Sequence, residues 1–108
     1  MVTAATVLEV TTERAMTLAG SELLAVAADP IRWTLLNKLT DGGSCVCNLQ
    51  EHVRIAANLL SYHLKVLREA GLVTASRRGR WIDYALAPDA LDRLHAAVPG
   101  AETAVPVS

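Results

Sequence analysis

The chain has 108 residues, the length of one domain. Hydrophobic residues make up 52% of it, yet aromatics are only 4% and Phe is absent, so the core must be built mainly from Leu, Val and Ala, which favours helices. No apolar run approaches the roughly 20 residues that span a membrane, and Met1 to Glu13 lacks the basic-then-apolar order of a secretory signal, so a cytoplasmic protein with no membrane partner is expected. The net charge of −1 conceals a segregation. Six basic residues (Arg54, Lys65, Arg68, Arg77, Arg78, Arg80) and one acid (Glu69) lie between Arg54 and Arg80, so this segment carries +5 and its flanks −6. Positive charge gathered on one stretch is the electrostatic footprint of a nucleic-acid binder.

Residues 1–12, rich in Thr, Ala and Val, carry no helical stripe and read as a flexible arm. A first helix is expected from about Glu13 to Ala28, weakened in its middle by Gly20. Asp29-Pro30 then supplies an N-cap and a proline for the first helical position. The second helix places Ile31, Leu35 and Leu39 on one stripe with Leu36 beside them, and Gly42-Gly43 ends it. A short third helix runs from Cys45 or Val46 to Val53, and a tight turn covers Arg54 to Ala57. The fourth helix, from about Asn58 to Ala70, has a core stripe of Leu60, Leu64 and Leu67. Asn58, Tyr62 and Lys65 fall on its opposite face, and Gly71 stops it. His63 falls toward the flank of the core stripe and is expected to pack or cap.

Leu72 to Ser76 and Arg80 to Leu86 read as strands joined by a turn at Arg77-Arg78-Gly79, a β-hairpin with a cationic tip. Pro88 opens a last helix, Asp89 to about Val98, with Leu91, Leu94 and Val98 as its stripe; 99–108 reads as a disordered tail. The fold expected is mainly α with a small β-hairpin, in the order α-α-α-α-β-β-α: a winged helix-turn-helix over residues 13–98.

The run Cys45-Val46-Cys47-Asn48-Leu49-Gln50, the run Ser61-Tyr62-His63-Leu64-Lys65-Val66-Leu67-Arg68-Glu69-Ala70-Gly71-Leu72-Val73 and the run Arg78-Gly79-Arg80-Trp81-Ile82-Asp83-Tyr84 resemble the ArsR/SmtB family of metal- and metalloid-sensing repressors. Ala28-Asp29-Pro30-Ile31-Arg32 resembles the family's Asp-Pro-x-Arg segment. The similarity covers about Leu23 to Leu94. It implies a homodimer paired through its first and last helices, which holds double-stranded operator DNA when metal-free and releases it when an inducer binds. A second copy would also cover Leu91, Leu94 and Val98 and set two recognition helices about one DNA turn apart.

Asn58, Ser61 and Tyr62 are the candidates for base edges and nearby phosphates. Lys65 and Arg68 are read as phosphate contacts, and Arg77, Arg78 and Arg80 as contacts from the wing to backbone or minor groove. The alternative is a solvated helix face that happens to carry these residues.

Cys45 and Cys47 are the candidate metal ligands. In a reducing compartment thiols stay free, and bridging such near neighbours would need strained backbone. Soft thiolates select As(III), Sb(III), Cd(II) or Zn(II), and a helix start favours the thiolate. Residues i and i+2 of a regular helix point about 200° apart, so the pair clasps one ion only if Cys45 is the helix cap or the first turn distorts. The arsenic-sensing branch has a third Cys three residues after the second; Gln50 stands there, and a small thiol, a water, His52 or a partner residue would complete the shell. Both cysteines as small apolar fillers is the alternative. A second candidate site, for Ni(II) or Zn(II), is Asp89, Asp92 and His95 on the last helix, although the family's Asp-x-His start is missing.

The function expected is a transcriptional regulator, a repressor, that leaves operator DNA when As(III) or Cd(II) binds. Competing readings are a Ni(II) or Zn(II) sensor through the last helix, a metal-free thiol redox sensor and a winged-helix module with no inducer. No Cys-x-x-Cys, catalytic His-acid pair or phosphate loop argues for an enzyme.

Overall fold

The computed structural model describes residues 19–100. The expected arm over 1–12, the start of the first helix before residue 19 and the expected tail beyond Gly100 lie outside the described residues. Five helices and three short strands follow in the order α1 (Gly20–Ala28), α2 (Pro30–Leu39), β1 (Ser44–Cys45), α3 (Val46–Val53), α4 (Ala57–Glu69), β2 (Val73–Arg78), β3 (Trp81–Leu86) and α5 (Ala90–Ala97).

Local chemistry accounts for the start of α2 and the end of α4. Asp29 caps α2, its Oδ1 accepting from the amides of Ile31 (2.8 Å) and Arg32 (3.1 Å), and Pro30 fills the first helical position, where no amide is required. At the far end of α4, Gly71 has φ +77°, open to glycine at little cost. A Cβ there would also approach Arg93 to 2.7 Å. That arginine, on α5, donates 3.0 Å bonds to the carbonyls of Gly71 and Ala70, satisfying the C-terminal end of α4 with a cation.

The core is a leucine cluster. Leu35 and Leu39 of α2, Leu49 of α3, and Leu60, Leu64 and Leu67 of α4 are buried together with Leu72 and Tyr84. All three stripe leucines expected of α4 face inward, and His63 is buried beside them. Ile31, by contrast, is only half-buried.

Two details of the sheet differ from the sequence reading. The hairpin turn is Gly79-Arg80 rather than Arg77-Arg78-Gly79, because Arg78 pairs directly with Trp81. A two-residue loop needs a positive φ at its first central position, and Gly79 provides it at +62°. The hairpin is also not alone: Ser44–Cys45 forms a third strand, antiparallel to β3, and the sheet order is β1-β3-β2. A two-residue strand has no alternation for a sequence reading to detect.

Candidate nucleic-acid interface and thiol site

On α4 the side chains of Asn58, Ser61, Tyr62, Lys65 and Arg68 are all exposed, on the side away from the buried leucines. Tyr62 is 56% exposed and packs edge-on against the His63 ring, with centroids 5.2 Å apart. Lys65 lies 3.9 Å from Glu69, an exposed pair one helical turn apart that adds little stability. Leu59 is exposed too, at 43%, and the sequence reading did not single it out.

The helix is aimed by residues outside it. Arg32 on α2 donates from Nε to the carbonyl of Val26 (2.6 Å) and from NH1 to Nδ1 of His63 (3.0 Å). A guanidinium has only donors, so Nδ1 accepts and the His63 proton sits on Nε2. Asp29 Oδ1 stands 3.9 Å from the same ring nitrogen. Burial raises the Asp29 carboxyl, but the Arg32 and Ile31 amides and the Arg32 guanidinium outweigh it, and its pKa falls below the ordinary 3.8. The Asp-Pro-x-Arg segment thus joins the α1–α2 corner to the middle of α4.

In the turn between α3 and α4, Arg54 takes the left-handed conformation (φ 54°, ψ 48°) while its amide bonds to Gln50 O at 2.8 Å. Gln50 Nε2 donates to the carbonyl of Ile55 across the same turn. The residue standing where a third cysteine would be therefore fastens the turn.

The wing cations are placed unequally. Arg77 and Arg78 belong to β2, and Arg80 to the turn. Arg78 is engaged: its Nε is 3.1 Å from Asp83 Oδ2 and its NH2 3.5 Å from Oδ1. Arg77 reaches only the Gly79 carbonyl, at 3.4 Å. Asp83, Arg93 and Arg32 were not among the sequence-derived site residues. An acid at the mouth of an otherwise cationic hairpin was the available signal for Asp83.

Cys45 and Cys47 are joined as a disulfide, their Cα atoms 5.4 Å apart. This departs from the expectation of free thiols whose bridging would strain the backbone. Cys45 is the N-cap residue of α3, extended at φ −75° and ψ 160°, and neither cysteine has a positive φ. With Cys45 outside the helix the 200° divergence does not apply, and both sulfurs meet at the first turn. Once the bridge is reduced, two thiolates at this one turn would fit a thiophilic ion. Among the described residues no three His, Cys, Asp or Glu side chains converge on a common point. His52 lines a concavity with Lys38, Asn48, Glu51 and Arg54. Asp89, Asp92 and His95 are all exposed at α5, and Asp89 makes no side-chain cap.

Residues 29–75 match the profile described as bacterial regulatory protein, arsR family. The arsenical resistance operon repressor of Staphylococcus xylosus is 36% identical over 75 residues, which are 69% of this chain and 72% of that one. The chain belongs to the ArsR family. The transcriptional repressor SmtB of Mycobacterium tuberculosis is 39% identical over 69 residues, 64% of this chain. The chain spans about half, 51%, of that relative's length. A crystal structure described as a possible transcriptional regulator for arsenical resistance superposes with a TM-score of 0.67 at 37% identity, covering 80% of this chain and 95% of that one. The ArsR winged helix-turn-helix is thus the fold. Its α4 and β2–β3 wing hold the sequence-derived DNA-contact candidates, and no described helix is long and apolar enough to cross a membrane.

Proposed function

We propose that this ArsR-family chain is a cytoplasmic transcriptional repressor, acting as a homodimer, that binds operator DNA and releases it when a thiophilic ion occupies Cys45 and Cys47. The observation that carries the reading is the convergence of the two sulfurs at the N-terminus of α3, the helix next to α4 in the helix-turn-helix. Thiolates there would hold As(III) or Cd(II), with a further donor from solvent, a small thiol or the second protomer. The names of two relatives, a repressor and an arsenical resistance repressor, support repression and that class of inducer.

On the DNA side, Asn58, Ser61 and Tyr62 would meet base edges and nearby phosphates. Lys65 and Arg68 would meet phosphates from the helix, and Arg77, Arg78 and Arg80 from the wing. Dimerisation is supported by the apolar surface that α2 and α5 present. Trp33 (58% exposed), Leu36, Leu91 and Leu94 border one small hollow there, and covering it stabilises by the usual apolar transfer.

A second reading is supported by the sulfur pairing itself. The two thiols would give up two protons and two electrons to an oxidant such as a peroxide, forming the disulfide and water, and the disulfide would be the DNA-releasing state. Ion sensing by Asp89, Asp92 and His95 would need both protomers. The deciding experiment is a fluorescence-anisotropy titration of operator DNA with the reduced protein, repeated with As(III), Cd(II), Zn(II), Ni(II) and hydrogen peroxide. Release by As(III) or Cd(II) supports the reading. Equal affinity under every condition refutes any inducer at the thiols.

A further inference from the structure

The register of the sheet puts the thiol site and the wing on one surface. Cys45 pairs with Asp83, Ser76 pairs with the same Asp83 from the other side, and Arg78 pairs with Trp81. Directly opposed residues share a face, and so do residues two apart along a strand. Cys45, Asp83, Ser76, Trp81 and Arg78 therefore line one face, while Ser44, Tyr84 and Ile82 line the other, where Tyr84 enters the core. Along that first face a sulfur stands at one end and a wing guanidinium at the other, with a single carboxylate between them.

We propose that Asp83 links the thiol site to the wing by occupying Arg78 in place of a DNA phosphate. The inference rests on the DNA-binding, thiophilic-ion reading above. A carboxylate and a phosphate compete for the same guanidinium fork, and the Asp83 carboxylate already holds Arg78 at 3.1 and 3.5 Å. DNA must displace it. The strength of that hold depends on β1. With the sulfurs drawn together, Ser44–Cys45 lies against β3 and Asp83 is flanked by strands on both sides, its side chain 26% exposed against 78% for Arg78. Without β1, β3 becomes an edge, water reaches the carboxylate more freely, and an ion pair already open on its Arg78 side weakens further. An ion that clasps Cys45 and Cys47 favours the flanked arrangement, keeps Arg78 on Asp83 and lowers the wing's affinity for DNA. A ligand moves the equilibrium by its differential affinity for the two arrangements, and here the difference is whether Cys45 is fixed beside Asp83.

The test is Asp83→Asn, which keeps the shape and removes the charge, measured by anisotropy on a fluorescein-labelled duplex of mixed sequence, since phosphate contacts do not depend on sequence. The reduced variant is expected to bind about twofold to fivefold tighter than wild type. Its log–log salt slope is expected to steepen by up to about 0.9 per protomer as Arg78 gains a phosphate. Cd(II) should weaken its binding less, as a ratio, than it weakens wild type. In an Arg78→Ala background the same substitution should change nothing. Wild-type affinity and slope in Asp83→Asn overturn the competition. So does an equal gain in the Arg78→Ala background, which would reflect only the removal of a negative charge near DNA. An undiminished Cd(II) effect in Asp83→Asn overturns the link to the thiols. A wild-type protein that Cd(II) leaves on DNA sinks the thiophilic-ion reading instead, and the salt slopes still decide whether Asp83 competes.

Discussion

The guanidinium of Arg32, at the first turn of α2, donates a 3.0 Å hydrogen bond to Nδ1 of His63 in the middle of α4. The buried imidazole is therefore part of the scaffold that aims the recognition helix, and the same arginine ties back to Val26. Arg32→Ala is expected to lower stability by about 2–3 kcal/mol, since both charged hydrogen bonds are lost and a buried ring nitrogen is left unpaired. Urea denaturation would read this as a fall in midpoint at unchanged slope. Arg32→Lys should recover little of it, because an ammonium does not reproduce the two-armed reach.

Asp29 gives a pH signature. Its folded pKa is depressed below 3.8, so its contribution to stability is fully present above that value and is lost as pH falls through the lower, folded pKa. Asp29→Ala should cost about 1 kcal/mol near neutrality through the lost cap. The gap between wild type and variant should narrow as pH is taken below 3.8, measured by denaturation at a series of pH values. A gap independent of pH would mean that the carboxylate charge contributes nothing.

DNA affinity should depend steeply on salt. Lys65, Arg68, Arg77, Arg78 and Arg80, doubled in a dimer, would each add about −0.9 to the log–log slope if each neutralises a phosphate. Arg80→Ala is expected to weaken binding to all sequences alike. Asn58→Ala or Tyr62→Ala should in addition blur sequence preference, by roughly 1–3 kcal/mol per lost base contact. Competition titrations with matched and mismatched duplexes separate the two classes.

Cys45→Ser and Cys47→Ser are expected to keep DNA affinity close to wild type and to lose release by As(III) or Cd(II). Serine preserves approximate size and discards the soft donor. Release by both variants as readily as by wild type would move the site to Asp89, Asp92 and His95, with His95→Ala and Ni(II) or Zn(II) as the next comparison.

The helices were legible because their signals are local. Asp29-Pro30, the leucine spacing of α4 and the stop at Gly71 each fix a boundary within one or two turns, and the exposed face of Asn58, Ser61, Tyr62 and Lys65 follows from the same periodicity. What escaped was set by distant partners. Nothing near Ser44 announces that it will pair with Tyr84, so β1 was invisible, although Cys45 as the helix cap, the arrangement that lets it meet Cys47, was one of the two the sequence allowed. Arg93 reads locally as a solvated helix residue and turns out to cap α4 from α5. Moving the hairpin turn to Gly79-Arg80 put Arg78 within a diagonal of Asp83.

The two edges of β3 are assembled by unlike processes. On one side β2 is joined to it by the two-residue Gly79-Arg80 loop, and such hairpins close within about 1–10 μs. On the other side α3, α4 and β2 lie between β1 and β3 along the chain, so that pairing carries the entropy of closing a long loop. Two residues supply few bonds to hold it. In native-state hydrogen exchange the amides at β1 should therefore open with far less free energy than those of the hairpin. On the reading proposed above, an effector at Cys45 would meet the least firmly held part of the sheet and would act by completing the fold there.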